Sequence, residues 1–106
     1  MKKDETRVDW TGRTGDIINF IRGFSPFPAA FTRVSEGKMK LYFAVPANAD
    51  SPAPPGTVLG ADERGLLVKT GDGALSITEL QAPGGKRMSA TEYLRGHDIP
   101  NGTVFE

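Results

Sequence analysis

The segment KMKLYFAV, residues 38–45, carries side chains whose types and spacing suit the binding of a polyanion. In a β-strand the side chains alternate, which separates a basic face from a core face: Lys38, Lys40 and Tyr42 against Met39, Leu41 and Phe43. Two ammonium groups about 7 Å apart along a strand can replace the counterions of successive phosphates, and a neighbouring ring can stack on a base. The pattern predicts a nucleic-acid groove, and an ordinary solvated strand face is the alternative.

A second basic element lies in GGKRM, residues 84–88, where two glycines loosen a loop directly before a predicted helix start. Phosphate groups are often bound near such helix starts. Lysines close to the N-terminus extend the same patch. The predicted RNA-binding set is therefore Lys38, Lys40, Tyr42, Lys86, Arg87, Lys2 and Lys3.

Catalytic and metal-binding chemistry finds little support in the sequence. His97 is the only histidine, and although Asp98 follows it, immediate sequence neighbours rarely point at the same place. No cysteine, second histidine or carboxylate cluster at ligand spacing is present, so no metal site is predicted. The glycine pairs at 71–73 and 84–85 complete no phosphate-loop motif and indicate turns instead. We expect no catalytic residue in this chain.

The composition describes one small globular domain. The chain has 106 residues, of which 38% are hydrophobic and 25% charged, and its formal net charge is zero. No apolar run approaches the roughly 18 residues that a membrane span needs. The start, MKKDETRVDW, has no apolar segment typical of a signal peptide, so a cytoplasmic location is the default expectation.

Residues 14–23 are predicted to form a short helix. Apolar side chains recur there at helical spacing: Ile17, Ile18, Ile21 and Phe24. Thr11 or Thr14 is expected to cap the start of the helix. Gly23 is expected to end it in a left-handed conformation.

The segment IRGFSPFPAAF, residues 21–31, is predicted to be a structural corner. Pro26 and Pro28 cannot donate a backbone hydrogen bond, so the helix cannot continue through them. Aromatic residues packed around prolines are mostly core residues, and we expect Phe27 to be anchored in the seam between the helix and the sheet. A ligand clamp is the alternative interpretation of this corner.

Beyond residue 29 the pattern changes to strands separated by turns. AFTRV and KMKLYFAV flank SEG, GTVLGAD and GLLVKT flank ER, and GDGA leads into ALSITELQ, which predicts five strands. SATEYLRG predicts a second helix because Ser89 and Glu92 have capping-box spacing. We predict a mainly β fold, a small OB-like five-stranded antiparallel barrel with two short helices. An open α+β sheet with both helices on one face is the alternative.

Several segments resemble the C-terminal domain of methionyl-tRNA formyltransferase in order and spacing: DW, IINFIRGFSPFPAAF, PPGTVL, LLVKTGDGALSITELQ and GGKRMSATEYLRGH. The resemblance covers nearly the whole chain, with residues 1–7 as the end of an interdomain linker and 8–106 as an OB-like domain. The family commonly has IRAF and PGA where this chain has Gly23 and Ala29, so the corner geometry departs from the family pattern.

The resemblance implies a non-catalytic domain that positions initiator methionyl-tRNA for N-formylation. In the family, a separate N-terminal catalytic domain does the chemistry with 10-formyltetrahydrofolate as formyl donor, and its motifs have no match here. The implied partners are therefore tRNA and that catalytic domain, with no membrane and no cofactor in this chain. A structural accessory domain of a related formyltransferase, acting on a nucleotide sugar or folate, is the alternative, and GGKRMSA favours the tRNA enzyme.

Overall fold

The computed structural model describes residues 6–106. Within them the chain forms a mainly β domain with two helices, in the order α1 Thr14–Phe24, β1 Ala30–Val34, β2 Gly37–Ala47, β3 Val58–Ala61, β4 Leu66–Lys69, β5 Ala74–Gln81, β6 Arg87–Ser89 and α2 Ala90–Gly96. Both predicted helices, both predicted hairpins and the strand ALSITELQ are present. The sixth strand, β6, lies where the sequence predicted a loop.

The strands form one antiparallel sheet with the order β1-β2-β5-β4-β3, and β6 pairs with β5. Within residues 6–106, the end strands β1 and β3 do not pair with each other, so strand pairing alone does not close the predicted barrel. The C-terminal segment lies between them instead. Val58 donates its N–H to Thr103 O at 2.7 Å, and the N–H of Glu106 reaches Arg33 O at 3.1 Å. Both edges are thus occupied by backbone hydrogen bonds, which protects them from further pairing.

The core is formed by apolar side chains from the sheet, from α1 and from both ends of the described chain. Trp10 is 4% exposed, and its Nε1 donates a 2.9 Å hydrogen bond to Oγ1 of the buried Thr32. Phe105 packs near it, with 6.1 Å between the ring centroids. The other large members are Ile17, Ile21, Met39, Leu41, Val58, Leu66, Val68, Leu75, Ile77 and Leu80. The N-terminal and C-terminal segments therefore belong to the folded core.

The start of α1 is capped by a side chain that is distant in the sequence. Asp72 Oδ1 accepts hydrogen bonds from the Thr14 N–H at 2.8 Å and from Thr14 Oγ1 at 2.9 Å. The backbone hydrogen bond from Thr14 is the main cause that lowers the pKa of Asp72. The expected cap by Thr11 or Thr14 is wrong, because the residue before the helix, Arg13, makes no capping bond and Asp72 supplies the acceptor. The GDG turn therefore fixes the helix to the β4–β5 hairpin.

The corner after α1 differs from the sequence prediction in two respects. Gly23 lies inside α1, which continues to Phe24 and has Ser25 as its C-cap residue, so the predicted left-handed glycine cap is wrong. Ala29 instead adopts a positive φ of 75° and donates its N–H to Phe24 O at 2.8 Å. This conformation favours glycine, so Ala29 occupies a backbone position that residues with a side chain rarely adopt.

Phe27 is 86% exposed, so its predicted place in the core is wrong. The peptide bonds Ser25–Pro26 and Phe27–Pro28 are cis, and all three residues from Pro26 to Pro28 are exposed. The buried positions at this corner are taken by Ile21, Ala29 and Ala30 instead. The corner thus turns its aromatic tip away from the core.

The second helix begins as predicted. Ser89 is the N-cap residue, and its Oγ accepts a 3.2 Å hydrogen bond from the Glu92 N–H. In residues 6–106 no helix is long and apolar enough to cross a membrane.

Candidate nucleic-acid interface

One face of the sheet gathers basic side chains from four different segments of the chain. Cross-strand pairing aligns Phe31 with Lys40, Lys40 with Gln81, and Gln81 with Arg87, and residues directly opposite each other share a face. A parallel bridge adds Arg7 beside Phe31, and the next row pairs Arg33 with Lys38. We call this surface the basic face, and its exposed cations are Arg7, Arg33, Lys38, Lys40 and Arg87.

Two of the five cations come from positions that the sequence analysis did not single out. Arg7 falls in the stretch assigned to the linker end, yet Thr6 O accepts the Phe31 N–H at 3.0 Å and Val8 donates to Phe31 O at 2.9 Å. Arg33 lies in β1 directly opposite Lys38. Val34 pairs with Gly37, which shortens the predicted SEG turn to two residues and places Arg33 opposite Lys38. Neither this register nor the bridge at Arg7 was predicted from the sequence.

The predicted lysines of β2 are both exposed. Lys38 Nζ lies 4.5 Å from the centroid of the Phe31 ring, which is itself 4% exposed. Such a cation–π contact holds the ammonium group over the sheet without neutralising its charge. Lys40 makes no side-chain hydrogen bond or ion pair within residues 6–106. Both positive charges are therefore available to a ligand on this face.

The predicted exposure of Tyr42 is wrong. Its side chain is 5% exposed, its hydroxyl donates to Gln81 Oε1 at 2.8 Å, and the Arg87 guanidinium lies 4.3 Å from its ring centroid. Arg87 of strand β6 covers the ring, and no sequence pattern predicted this strand. Tyr42 therefore supports the basic face from beneath and offers no free ring for stacking.

Phe43, expected in the core, is 46% exposed. The β2–β5 register is irregular here: Leu41 pairs with Leu80 and Ala44 with Ile77, while Phe43 pairs with Glu79. Core-facing residues are consequently three positions apart on both strands, where regular alternation would make them two apart. The irregularity turns the Phe43 ring to the side of Glu79, so Phe43 replaces Tyr42 as the exposed aromatic residue beside the basic face.

Arg87 is held by an acidic neighbour. Its Nη2 lies 2.6 Å from Glu79 Oε1, and the two side chains are 40% and 30% exposed. The hydrogen bond to Glu79 is the main cause that raises the pKa of Arg87. Arg87 therefore reaches the basic face as predicted, but its charge is paired.

Lys86 is exposed on the loop that precedes β6. This loop is fixed by a hydrogen bond from Gln81 Nε2 to Gly85 O at 3.1 Å, and the same Gln81 accepts the Tyr42 hydroxyl. Lys86 makes no ion pair in the part of the chain that the structure describes. The remaining candidates, Lys2 and Lys3, lie outside the described residues.

A groove of about 470 Å³ lies beside α2, between the β1–β2 turn, the Lys86 loop and the C-terminal segment. His97 lines it, but its ring stacks on Tyr93 with 4.4 Å between centroids, and its Nδ1 lies 3.3 Å from Tyr93 O. Burial is the main cause that raises the pKa of Tyr93, and Glu36 adds to the effect. Within residues 6–106 no group of three potential ligand residues is arranged to hold a metal ion.

The small antiparallel sheet and its two helices define a mainly β domain. Residues 1–98 match the family model described as "Formyl transferase, C-terminal domain", and the chain belongs to this family. The resemblance recognised in the sequence is thereby confirmed.

Curated relatives share this similarity along the whole chain. The methionyl-tRNA formyltransferase of Delftia acidovorans is 40% identical over 108 residues, which cover 100% of this chain and 33% of that protein. The enzyme of the same name from Gluconobacter oxydans is 42% identical over 104 residues, covering 97% of this chain and 33% of that protein. The chain thus spans about a third of the length of these relatives.

Among solved structures, HypX from Aquifex aeolicus in complex with tetrahydrofolic acid is similar, with a TM-score of 0.69. The sequence identity is 22%, and the match covers 98% of this chain and 21% of HypX. At this identity the similarity concerns the fold alone.

Proposed function

We propose that this chain is the tRNA-binding C-terminal domain of a methionyl-tRNA formyltransferase. In this proposal the basic face holds initiator methionyl-tRNA while a separate N-terminal catalytic domain transfers the formyl group. We also propose that the fold is OB-like, because the C-terminal segment forms backbone hydrogen bonds with both end strands of the sheet. A cytoplasmic location is part of the same proposal. The similarity to methionyl-tRNA formyltransferases along nearly all of this chain supports the choice of tRNA as the ligand.

The observation that carries the proposal is the cross-strand alignment of cations. Lys38 and Lys40 are two residues apart on β2, about 7 Å along the strand, while Arg7 lies two strands away from Lys40, about 10 Å across the sheet. A two-dimensional array of positive charge fits a folded polyanion better than a single small anion. Contacts of this type are directed to the phosphate and sugar backbone and position the RNA without reading its sequence.

The exposed Phe43 ring adds a second kind of contact. It pairs with Glu79 at the border of the basic face and is available to stack on an unpaired base. Cations with an adjacent exposed ring are the combination that single-stranded or looped RNA binds. The end or a loop of a tRNA offers such bases beside helical backbone.

The formyl donor is assigned to the catalytic domain. In our proposal 10-formyltetrahydrofolate is bound there, and this chain contributes only the positioning of the RNA substrate. The groove beside α2 does not suit a formyl-transfer centre, because its histidine ring is stacked on Tyr93 and directed at a backbone carbonyl. The second candidate, a structural accessory domain of a related formyltransferase that acts on a nucleotide sugar or folate, predicts little tRNA affinity.

The test is a salt titration of tRNA affinity for the parent chain and for a Lys38→Gln/Lys40→Gln variant. Each phosphate contact contributes about 0.7 to 0.9 to the slope of log affinity against log salt, so the variant should lose roughly 1.4 to 1.8 units of slope. Its free energy of unfolding should fall by no more than about 1 kcal/mol, because only an exposed cation–π contact with Phe31 is lost.

A matched control removes the same charge elsewhere. Arg64 lies in the β3–β4 turn and Arg95 in α2, so an Arg64→Gln/Arg95→Gln variant has the same net charge as the lysine variant but keeps the cations of β2. The control should retain the parent slope. Equal slopes for the parent and the lysine variant would remove β2 from the RNA path, and the absence of salt-dependent binding by the parent would favour the accessory-domain alternative.

A further inference from the structure

Glu79 is an acidic side chain in the rows that form the basic face. It pairs with Phe43 on β2 and with Ser89 on β6, and it binds Arg87, which lies two residues before Ser89 on the same strand. Two contacts fix the Arg87 guanidinium: the ion pair with Glu79 and the face of the Tyr42 ring. The Tyr42 ring is itself held by the hydrogen bond from its hydroxyl to Gln81. Arg87 is therefore oriented before any ligand arrives.

This pairing changes what Arg87 can contribute to RNA binding. An exposed lysine that meets a phosphate releases condensed counterions, and that release drives association at low salt. A guanidinium already neutralised by a carboxylate releases none, and a phosphate placed beside it also meets the negative charge of Glu79. Lys40 pairs with Gln81, which in turn pairs with Arg87. Unlike Arg87, Lys40 has no acidic partner within the described residues.

We propose that Glu79 keeps Arg87 out of the RNA contact and so limits both the strength and the salt dependence of RNA binding on the basic face. Glu79 then determines where the RNA binds on this face. Its negative charge repels backbone phosphate from the Arg87 end and confines the RNA to the lysines of β2 and to Phe43. This inference rests on the proposed function, because it concerns how the same face binds RNA.

The direct test replaces Glu79 by glutamine, which has nearly the same shape and removes only the charge. With Arg87 released, the Glu79→Gln variant should bind deacylated tRNA more tightly at low salt. Its slope of log affinity against log salt should be steeper than that of the parent by about 0.7 to 0.9, the value for one additional phosphate contact. A role confined to stability would leave the slope unchanged.

Three variants separate this effect from a general change in net charge. Glu63 lies in the β3–β4 turn, outside the rows of the basic face, so Glu63→Gln changes the net charge equally and should not change the slope. Arg87→Gln alone should change the slope little, because Arg87 makes no RNA contact in the parent. The double variant Glu79→Gln/Arg87→Gln should return to the parent slope.

The outcomes distinguish this inference from the proposed function. If Lys38→Gln/Lys40→Gln lowers the slope but Glu79→Gln and Glu63→Gln behave alike, the face binds RNA and the inference about Glu79 is wrong. If Arg87→Gln alone removes a full unit of slope, Arg87 already contacts RNA and the inference is also overturned. If the lysine variant keeps the parent slope while Glu79→Gln steepens it, β2 is not the RNA path, and the inference that Glu79 confines the RNA to the lysines of β2 is overturned as well.

Discussion

Two aromatic residues in different regions of the molecule have the opposite exposure to the one that the sequence predicts. Phe27, between two prolines at the corner after α1, has the apolar character of a core residue and is 86% exposed. Tyr42, on the predicted outer face of a strand, is 5% exposed and lies under Arg87. The difference shows that residue type and alternation specify a side chain's direction, while neighbouring segments decide whether it is covered.

The two regions differ in what lies next to them. The corner projects between a helix end and a strand start, and small buried residues, Ala29 and Ala30, occupy its inner side. Tyr42 points to the side of the sheet on which Arg87 of β6 covers its ring, and its hydroxyl binds Gln81 of β5. Such coverage is a long-range effect, because about forty residues separate Tyr42 from Gln81 and Arg87.

The largest expected effect belongs to Tyr42→Ala. Removal of a buried aromatic side chain should lower the free energy of unfolding by about 3 kcal/mol or more, through lost burial and a residual cavity beneath Arg87. Chemical denaturation of the parent and the variant measures the change. A loss below about 1 kcal/mol would mean that Arg87 does not cover the ring in solution.

Tyr42→Phe isolates the hydroxyl. The ring stays under Arg87, but the 2.8 Å hydrogen bond to Gln81 is lost, and the free energy of unfolding should fall by about 1 kcal/mol. The control is Tyr93→Phe, whose hydroxyl makes no hydrogen bond within residues 6–106, and this variant should lose less. If the two variants are equally stable, the bond to Gln81 contributes nothing to the fold.

The smallest effect is expected for Phe27→Ala. An exposed side chain outside the core usually changes stability by no more than about 0.5 kcal/mol, so the thermal midpoint of this variant should stay close to that of the parent. Phe31→Ala provides the comparison, since Phe31 is 4% exposed and its loss should cost about 3 kcal/mol. Similar losses for the two variants would place Phe27 in the core, as the sequence predicts.

Local signals accounted for most secondary-structure elements. The SEG and ER turns specify two hairpins, ALSITELQ coincides with β5, and Ser89 caps α2 through the Glu92 N–H. Each of these depends on residues a few positions apart, for which turn chemistry and capping are sufficient. The helix start at Thr14 was approximately located, but its cap came from Asp72, fifty-eight residues away, which no local rule identifies.

The candidate site was predictable only in part. Lys38 and Lys40 are exposed as expected, since burial alternates regularly from Lys38 to Leu41. Lys86 is exposed on the loop before β6. The prediction failed at Phe43 because the β2–β5 register becomes irregular there, and at Tyr42 because Arg87 covers its ring. Sequence periodicity assumes a regular ladder and cannot detect where paired strands bend together.

The sequence alone determined the family, the antiparallel hairpins, the two helices and the presence of paired lysines on one strand, because these follow from motifs and from interactions between near neighbours. Only the tertiary structure decided that Arg7 and Arg33 join those lysines, that Glu79 neutralises Arg87, and that Tyr42 is covered while Phe27 is not. These features depend on the lateral order of strands and on where the chain ends return to the sheet. The physical reason is that cross-strand contacts join residues far apart in sequence, whose distance no local pattern encodes.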